Sequence, residues 1–73
     1  MENFLSRIEI RPDVRSGKPC VKGTRMTIQD VLEYLASGMS EAQVLEDFPY
    51  ITHLDVLACL QYAAQKERTV VLA

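Results

Sequence analysis

The chain is predicted to be mainly α-helical, a three-helix bundle in helix-turn-helix order with a short β-strand near each end. Three observations predict this. Apolar residues recur at helical spacing in three separate runs after residue 27. A hydroxyl residue precedes each run, with an acid or amide three positions on, which is the pattern of a capping box. Finally, a polar/apolar alternation opens the chain and a β-branched, apolar stretch closes it, the two patterns of strands.

Residues 1–6 show neither pattern and are expected to form a flexible N-terminal tail, leaving 7–73 as a single helix-turn-helix domain with short flanking strands. Arg7-Ile8-Glu9-Ile10-Arg11 alternates with the period of a half-buried strand. Gly17 to Met26 then carries two glycines, a proline and three cations, a composition that excludes helix. It predicts a short extended piece, Cys20-Val21-Lys22, between two tight turns, with Thr24 and Arg25 presented just before the first helix. In that position Thr24 is a turn residue whose hydroxyl holds the backbone.

The first helix is predicted over 28–37, opened by Thr27 with Asp30 and stopped at Gly38; Ile28, Val31, Leu32, Leu35 and Met39 make its apolar face. Ser40 with Gln43 opens a second helix over 41–47, with Val44, Leu45 and Phe48 apolar and Pro49 ending it. Thr52 with Asp55 opens the third over 53–66, whose core face is expected to be Val56, Leu57, Leu60, Ala63 and Ala64. Thr69-Val70-Val71-Leu72-Ala73 is the second predicted strand.

Length and composition narrow the function. Seventy-three residues, 48% of them hydrophobic, make one domain near the lower limit for a self-sufficient core. Burial against a second copy or a partner is therefore expected, a homodimer being the simplest case; the terminal strands, unstable alone, are expected to pair with each other, with Cys20 to Lys22, or across that dimer. No apolar run is long enough to span a membrane, and the start of the chain lacks the cationic, apolar pattern of a secretory signal. A cytoplasmic location follows, with Cys20 and Cys59 as free thiols. Neither metal-ligand spacing nor a nucleophile with its base is visible, so no catalysis, metal or cofactor is expected.

Charge is unevenly divided. Residues 1–26 hold six cations against three carboxylates, a net +3; residues 27–73 hold two against seven, a net −5. A basic front on an acidic helical body suits polyanions, a second copy bound head to tail, or internal ion pairs. Lys18, Lys22 and Arg25 are the candidates for phosphate contact, although a local ion pair of Arg25 with Glu46 or Asp47 is the stronger expectation for that residue. If the third helix enters a DNA groove, His53 and Gln61 are placed to face base edges. Leu54, Ala58 and Tyr62, at i, i+4 and i+8, form a row expected to face away from the core, which suggests a buried protein interface instead.

Gly17-Lys18-Pro19, Gly23-Thr24-Arg25, Asp30-Val31-Leu32, Gly38-Met39-Ser40, Asp47-Phe48-Pro49 and Ala58 to Ala64, in that order, resemble the small prokaryotic domain-of-unknown-function family 433. The similarity runs from about Ile8 to the end of the chain; the stretch Tyr50 to Leu54, with His53, departs from it. The resemblance implies a homeodomain-like helix-turn-helix fold and an antitoxin-like role beside a small nuclease-like toxin partner. Two functions are thus expected. One is a DNA-binding antitoxin or autoregulator acting at its own promoter; the other is a protein-interaction module that neutralises its partner without touching DNA.

Overall fold

The computed structural model describes residues 4–68. Three helices, α1 (Ile28–Ala36), α2 (Glu41–Asp47) and α3 (His53–Arg68), follow a two-stranded antiparallel sheet of β1 (Ile8–Glu9) and β2 (Cys20–Val21). Ile8 stands opposite Val21 and Glu9 opposite Cys20. Beyond β2, Cys20 also bridges to Thr27, so the sheet leads directly into the first helix cap. β1 is shorter than the alternation suggested, because Leu5–Arg7 forms a 3-10 turn at one end and Pro12 follows closely at the other. The predicted strand over Thr69–Ala73 lies outside the described residues.

All three helix starts are built by local side-chain chemistry. Thr27 Oγ1 accepts from the Asp30 amide at 2.9 Å while Asp30 accepts from the Thr27 amide at 3.3 Å; Ser40 and Gln43 make the same exchange at 3.2 and 2.8 Å. At α3, Asp55 Oδ2 accepts from both the amide and the hydroxyl of Thr52, at 2.9 and 3.1 Å. Each exchange satisfies donors that a helix N-terminus would leave orphaned. α1 stops where Gly38 takes φ +107°, its amide bonded to Leu35 and that of Met39 to Tyr34, which is the Schellman pattern.

The core gathers Val21, Met26, Ile28, Val31, Ile51, Val56 and Cys59, with Ile8, Leu32, Tyr34, Leu35, Leu45, Phe48 and Tyr62 packed around them. Tyr34 stacks on Phe48 at 5.0 Å and ties α1 to the end of α2. Residues 4–6, within the expected tail, are placed against α3, where the Phe4 amide donates to Gln61 Oε1 at 2.9 Å.

Burial along α3 corrects the expected face. Ala58, expected to point outward, is fully buried, together with Asp55, Val56 and Cys59. Leu60, expected in the core, is 45% exposed, and Ala64 is exposed as well. Tyr62 is half-buried and packs against the core rather than away from it. The physical reason is that apolar and polar residues are both spread around α3, so periodicity alone does not select a side. The buried cap acid Asp55 and the small residues Ala58 and Cys59 set the rotation.

Candidate functional site

Two surfaces carry chemistry: the basic arm that wraps the helix starts, and the outer side of α3. In the arm, arginines serve the fold. Arg7 Nη1 reaches the Asp55 cap carboxylate at 3.1 Å, and Arg15 Nη1 reaches that of Asp30 at 3.0 Å. Each ion pair therefore sits on the acid that caps a helix. Arg15 also donates to the Arg25 carbonyl at 3.0 Å. These bonds hold a turn in which Arg15, Ser16 and Gly17 all have positive φ, at +50°, +59° and +78°. A left-handed backbone costs an L-residue about 1–2 kcal/mol, so Arg15 and Ser16 are strained positions held by their contacts. Arg11 donates to the Thr24 carbonyl at 2.9 Å. Its Nε lies 3.1 Å from Glu9 without a hydrogen bond, so that contact is Coulombic only.

The turn between β2 and α1 is closed by Gly23 at φ +79° and by Thr24, whose hydroxyl donates to the Val21 carbonyl at 2.9 Å and accepts from the Met26 amide at 3.0 Å. Glu9 caps its tip by accepting from the Gly23 amide at 2.8 Å. Lys22 and Arg25 flank this turn and Lys18 precedes β2; all three are exposed and none joins an ion pair among the described residues. The expected pairing of Arg25 with Glu46 or Asp47 is therefore not formed. Arg15 and Arg7 take the bracing role from positions 15 and 48 residues away from their acids, a separation that leaves no signal in sequence spacing.

The residues expected to face bases are otherwise engaged. His53 Nδ1 lies 2.8 and 3.0 Å from the two Glu41 oxygens, linking the start of α3 to the first turn of α2. Gln61 faces the N-terminal segment through its bond with Phe4. Of the three expected partner-facing residues, only Leu54 is exposed, at 38%. The outer side of α3 is instead His53, Leu57, Leu60 and Ala64, spaced i, i+4, i+7 and i+11, with Leu57 half-buried. Its apolar members are residues that sequence patterning assigned to the core.

Two cavities adjoin α3. One of about 490 Å³ lies between α1 and α3, lined by Lys18, Ile28, Leu32, Ala36, Tyr62 and Ala63 among others. The Lys66 ammonium sits 5.5 Å from the Tyr62 ring beside it. The second, about 310 Å³, is lined by Leu5, Ile8, Glu9, Ile10, Tyr62 and Gln65. Among the described residues no group of three His, Cys, Asp or Glu side chains is arranged to hold a metal, and no helix is long and apolar enough to cross a membrane.

Two ionisable groups are shifted. Burial pushes the Cys59 thiol up, aided by the Asp55 carboxylate, to about 12, which leaves it protonated and inert. Burial also raises Asp30, but the Thr27 hydroxyl and amide and the Arg15 guanidinium outweigh it and hold the carboxyl below its ordinary 3.8. A lowered folded value stabilises the fold above the unfolded value, and that stabilisation is lost as the pH falls through the folded one. Thermal melts of Asp30→Asn are accordingly expected to lose less stability below about pH 4 than the parent chain, and parallel acid limbs would disprove this.

The family model of proteins of unknown function DUF433 matches residues 8–63, from β1 through most of α3. The chain belongs to the DUF433 family. A crystal structure of a DUF433 member from Anabaena variabilis superposes with a TM-score of 0.80 at 26% identity, over 85% of this chain and 61% of that one. This chain thus spans less than two thirds of that DUF433 protein's length. No curated protein matches it.

Proposed function

We propose that this DUF433 chain is a non-catalytic, antitoxin-like binding module that neutralises a partner protein through the outer side of α3. The observation that carries the reading is the row of exposed Leu60 and Ala64 with half-buried Leu57, and exposed Leu54 beside it, on the helix that a helix-turn-helix protein would use to read DNA. Base edges are read by hydrogen-bonding side chains, and on this side of α3 His53 is held by Glu41 while the rest of the row is apolar; desolvating leucines against another protein is favourable. The exposed acids Glu46, Asp47 and Glu67 suit a basic partner, such as the nuclease-like toxin that the antitoxin reading calls for.

Co-expression with the product of the adjacent reading frame tests it. The parent chain is expected to bind that product and suppress its nuclease activity in the cytoplasm. Leu57→Asp/Leu60→Asp, folded by circular dichroism, is expected to bind at least about 100-fold more weakly. Undiminished suppression by that variant would remove the α3 reading.

A second reading, DNA contact at the chain's own promoter by a homeodomain-like helix-turn-helix, is favoured by one observation: Lys18, Lys22 and Arg25 remain exposed while Arg7, Arg11 and Arg15 are engaged. These three cations would hold phosphates, supplying affinity without base selection. Lys22→Ala and Arg25→Ala are each expected to weaken promoter binding and to lower the salt slope by about one unit. Substituting His53 or Gln61 is expected to leave sequence preference unchanged. Absence of salt-dependent gel retardation at low ionic strength, with or without the partner, would end this second reading.

A further inference from the structure

The cavity of about 490 Å³ between α1 and α3 is of the size that holds a small molecule. Its α1 wall is Ile28, Leu32 and Ala36, at i, i+4 and i+8, with Tyr62 and Ala63 of α3 opposite. Exposure rises along that wall, from 3% at Ile28 through half-buried Leu32 to exposed Ala36. The groove therefore deepens toward the start of α1 and opens toward its end, over about 12 Å of helix. Its polar groups are few. The Pro19 carbonyl accepts from the Ile28 amide at 3.0 Å and so holds the adjoining Lys18 at the deep end. There Lys18 is exposed and joins no ion pair among the described residues. Lys66 also lines the groove, its ammonium 5.5 Å from the Tyr62 ring. The lining carboxylate, Glu33, already accepts from the Gln29 side-chain amide at 2.9 Å.

We infer that this groove binds a small amphipathic carboxylate, its alkyl chain lying along Ile28, Leu32 and Ala36 and its head group at the Lys18 ammonium. Apolar walls with a few polar groups at fixed points are the usual build of a small-ligand site: the walls supply affinity and the polar groups set orientation. Charge selects the head group. Lys18 and Lys66 against Glu33 leave two cations to one carboxylate, a net +1. That balance matches a single negative charge and leaves the second charge of a phosphate monoester uncompensated. The groove lies on the side of α3 that carries Tyr62 and Ala63, apart from the Leu57–Leu60 row, and the inference stands independently of the partner reading.

Titration of the isotope-labelled full chain with octanoate, followed by amide chemical shifts, tests this. Saturable shifts are expected at Ile28, Leu32, Ala36 and Ala63, with affinity rising about fourfold for each methylene added between hexanoate and octanoate. Octanol keeps the chain and loses the charge, so it is expected to bind about fivefold more weakly than octanoate. Lys18→Ala is expected to bring octanoate down to the level of octanol while leaving octanol binding unchanged. Ala36→Trp, at an exposed position, fills the open end and is expected to cut octanoate binding at least about tenfold with helical circular dichroism intact. The inference is overturned by an absence of saturable shifts, by shifts centred on Leu57 and Leu60 instead, or by octanol binding as tightly as octanoate. Octanoate binding left unchanged by Lys18→Ala or by Ala36→Trp overturns it as well.

Discussion

Asp55→Ala is expected to destabilise the fold by about 2–3 kcal/mol, more than any other single change at a helix cap. The carboxylate receives both Thr52 donors and the Arg7 guanidinium, and it is 6% exposed. Loss of an N-cap costs about 1 kcal/mol. Losing the partner of Arg7 adds to this, discounted because the Arg7 side chain is 38% exposed and keeps part of its hydration. For a domain of this size the sum corresponds to a midpoint lowered by about 10–20 °C. Thermal and urea melts check it; a shift no larger than that of Thr52→Ala would show that Arg7 contributes nothing through Asp55.

That residue marks the limit of what the sequence discloses. Thr27, Ser40 and Thr52 announce their helices because a cap is chemistry among residues three apart, and Gly38 ends α1 for an equally local reason. The separation of three helices by Gly38 and Pro49 was legible on the same grounds. The arginine clamps were not, since Arg7 and Asp55, 48 positions apart, meet only once the chain has folded. The same holds for the candidate site. Exposure of Lys18, Lys22 and Arg25 agrees with their place in turns, but which cations stay unpaired depends on which carboxylates the fold delivers to Arg7 and Arg15.

The rotation of α3 shows how a pattern fails when its contrast is low. The apolar residues of the helix, from Leu54 to Ala64, are interleaved with polar ones such as His53, Gln61 and Gln65 rather than gathered on one face, so an amphipathic rule had little to measure. The usable signal was Asp55: a cap acid turned inward carries Cys59 and Tyr62, at i+4 and i+7, onto the core side with it. Small Ala58 follows, where close approach favours a methyl over a leucine side chain. Bulky apolar residues then fall outside, which is costly for an isolated domain and sensible for one whose α3 is covered by a partner.

Paired substitutions at Ala58 and Leu60 separate these assignments more sharply than any other test. Ala58→Asp places a charge at a position with no solvent exposure, and about 4 kcal/mol is expected to be lost from the roughly 4–11 kcal/mol that a chain of this length holds. The variant is therefore expected to be largely unfolded near physiological temperature. Leu60→Asp changes a side chain already 45% exposed, so its cost is expected to stay below about 1 kcal/mol. Sequence patterning orders the two the other way, with Leu60 in the core and Ala58 on the surface. Thermal melts showing the Leu60 variant unfolded and the Ala58 variant intact would restore that order and, with it, the Leu54, Ala58 and Tyr62 row as the contact surface. The expected result leaves a folded Leu60→Asp chain with a charge in the middle of its apolar row, which is the reagent needed to test whether α3 binds a partner through its leucines.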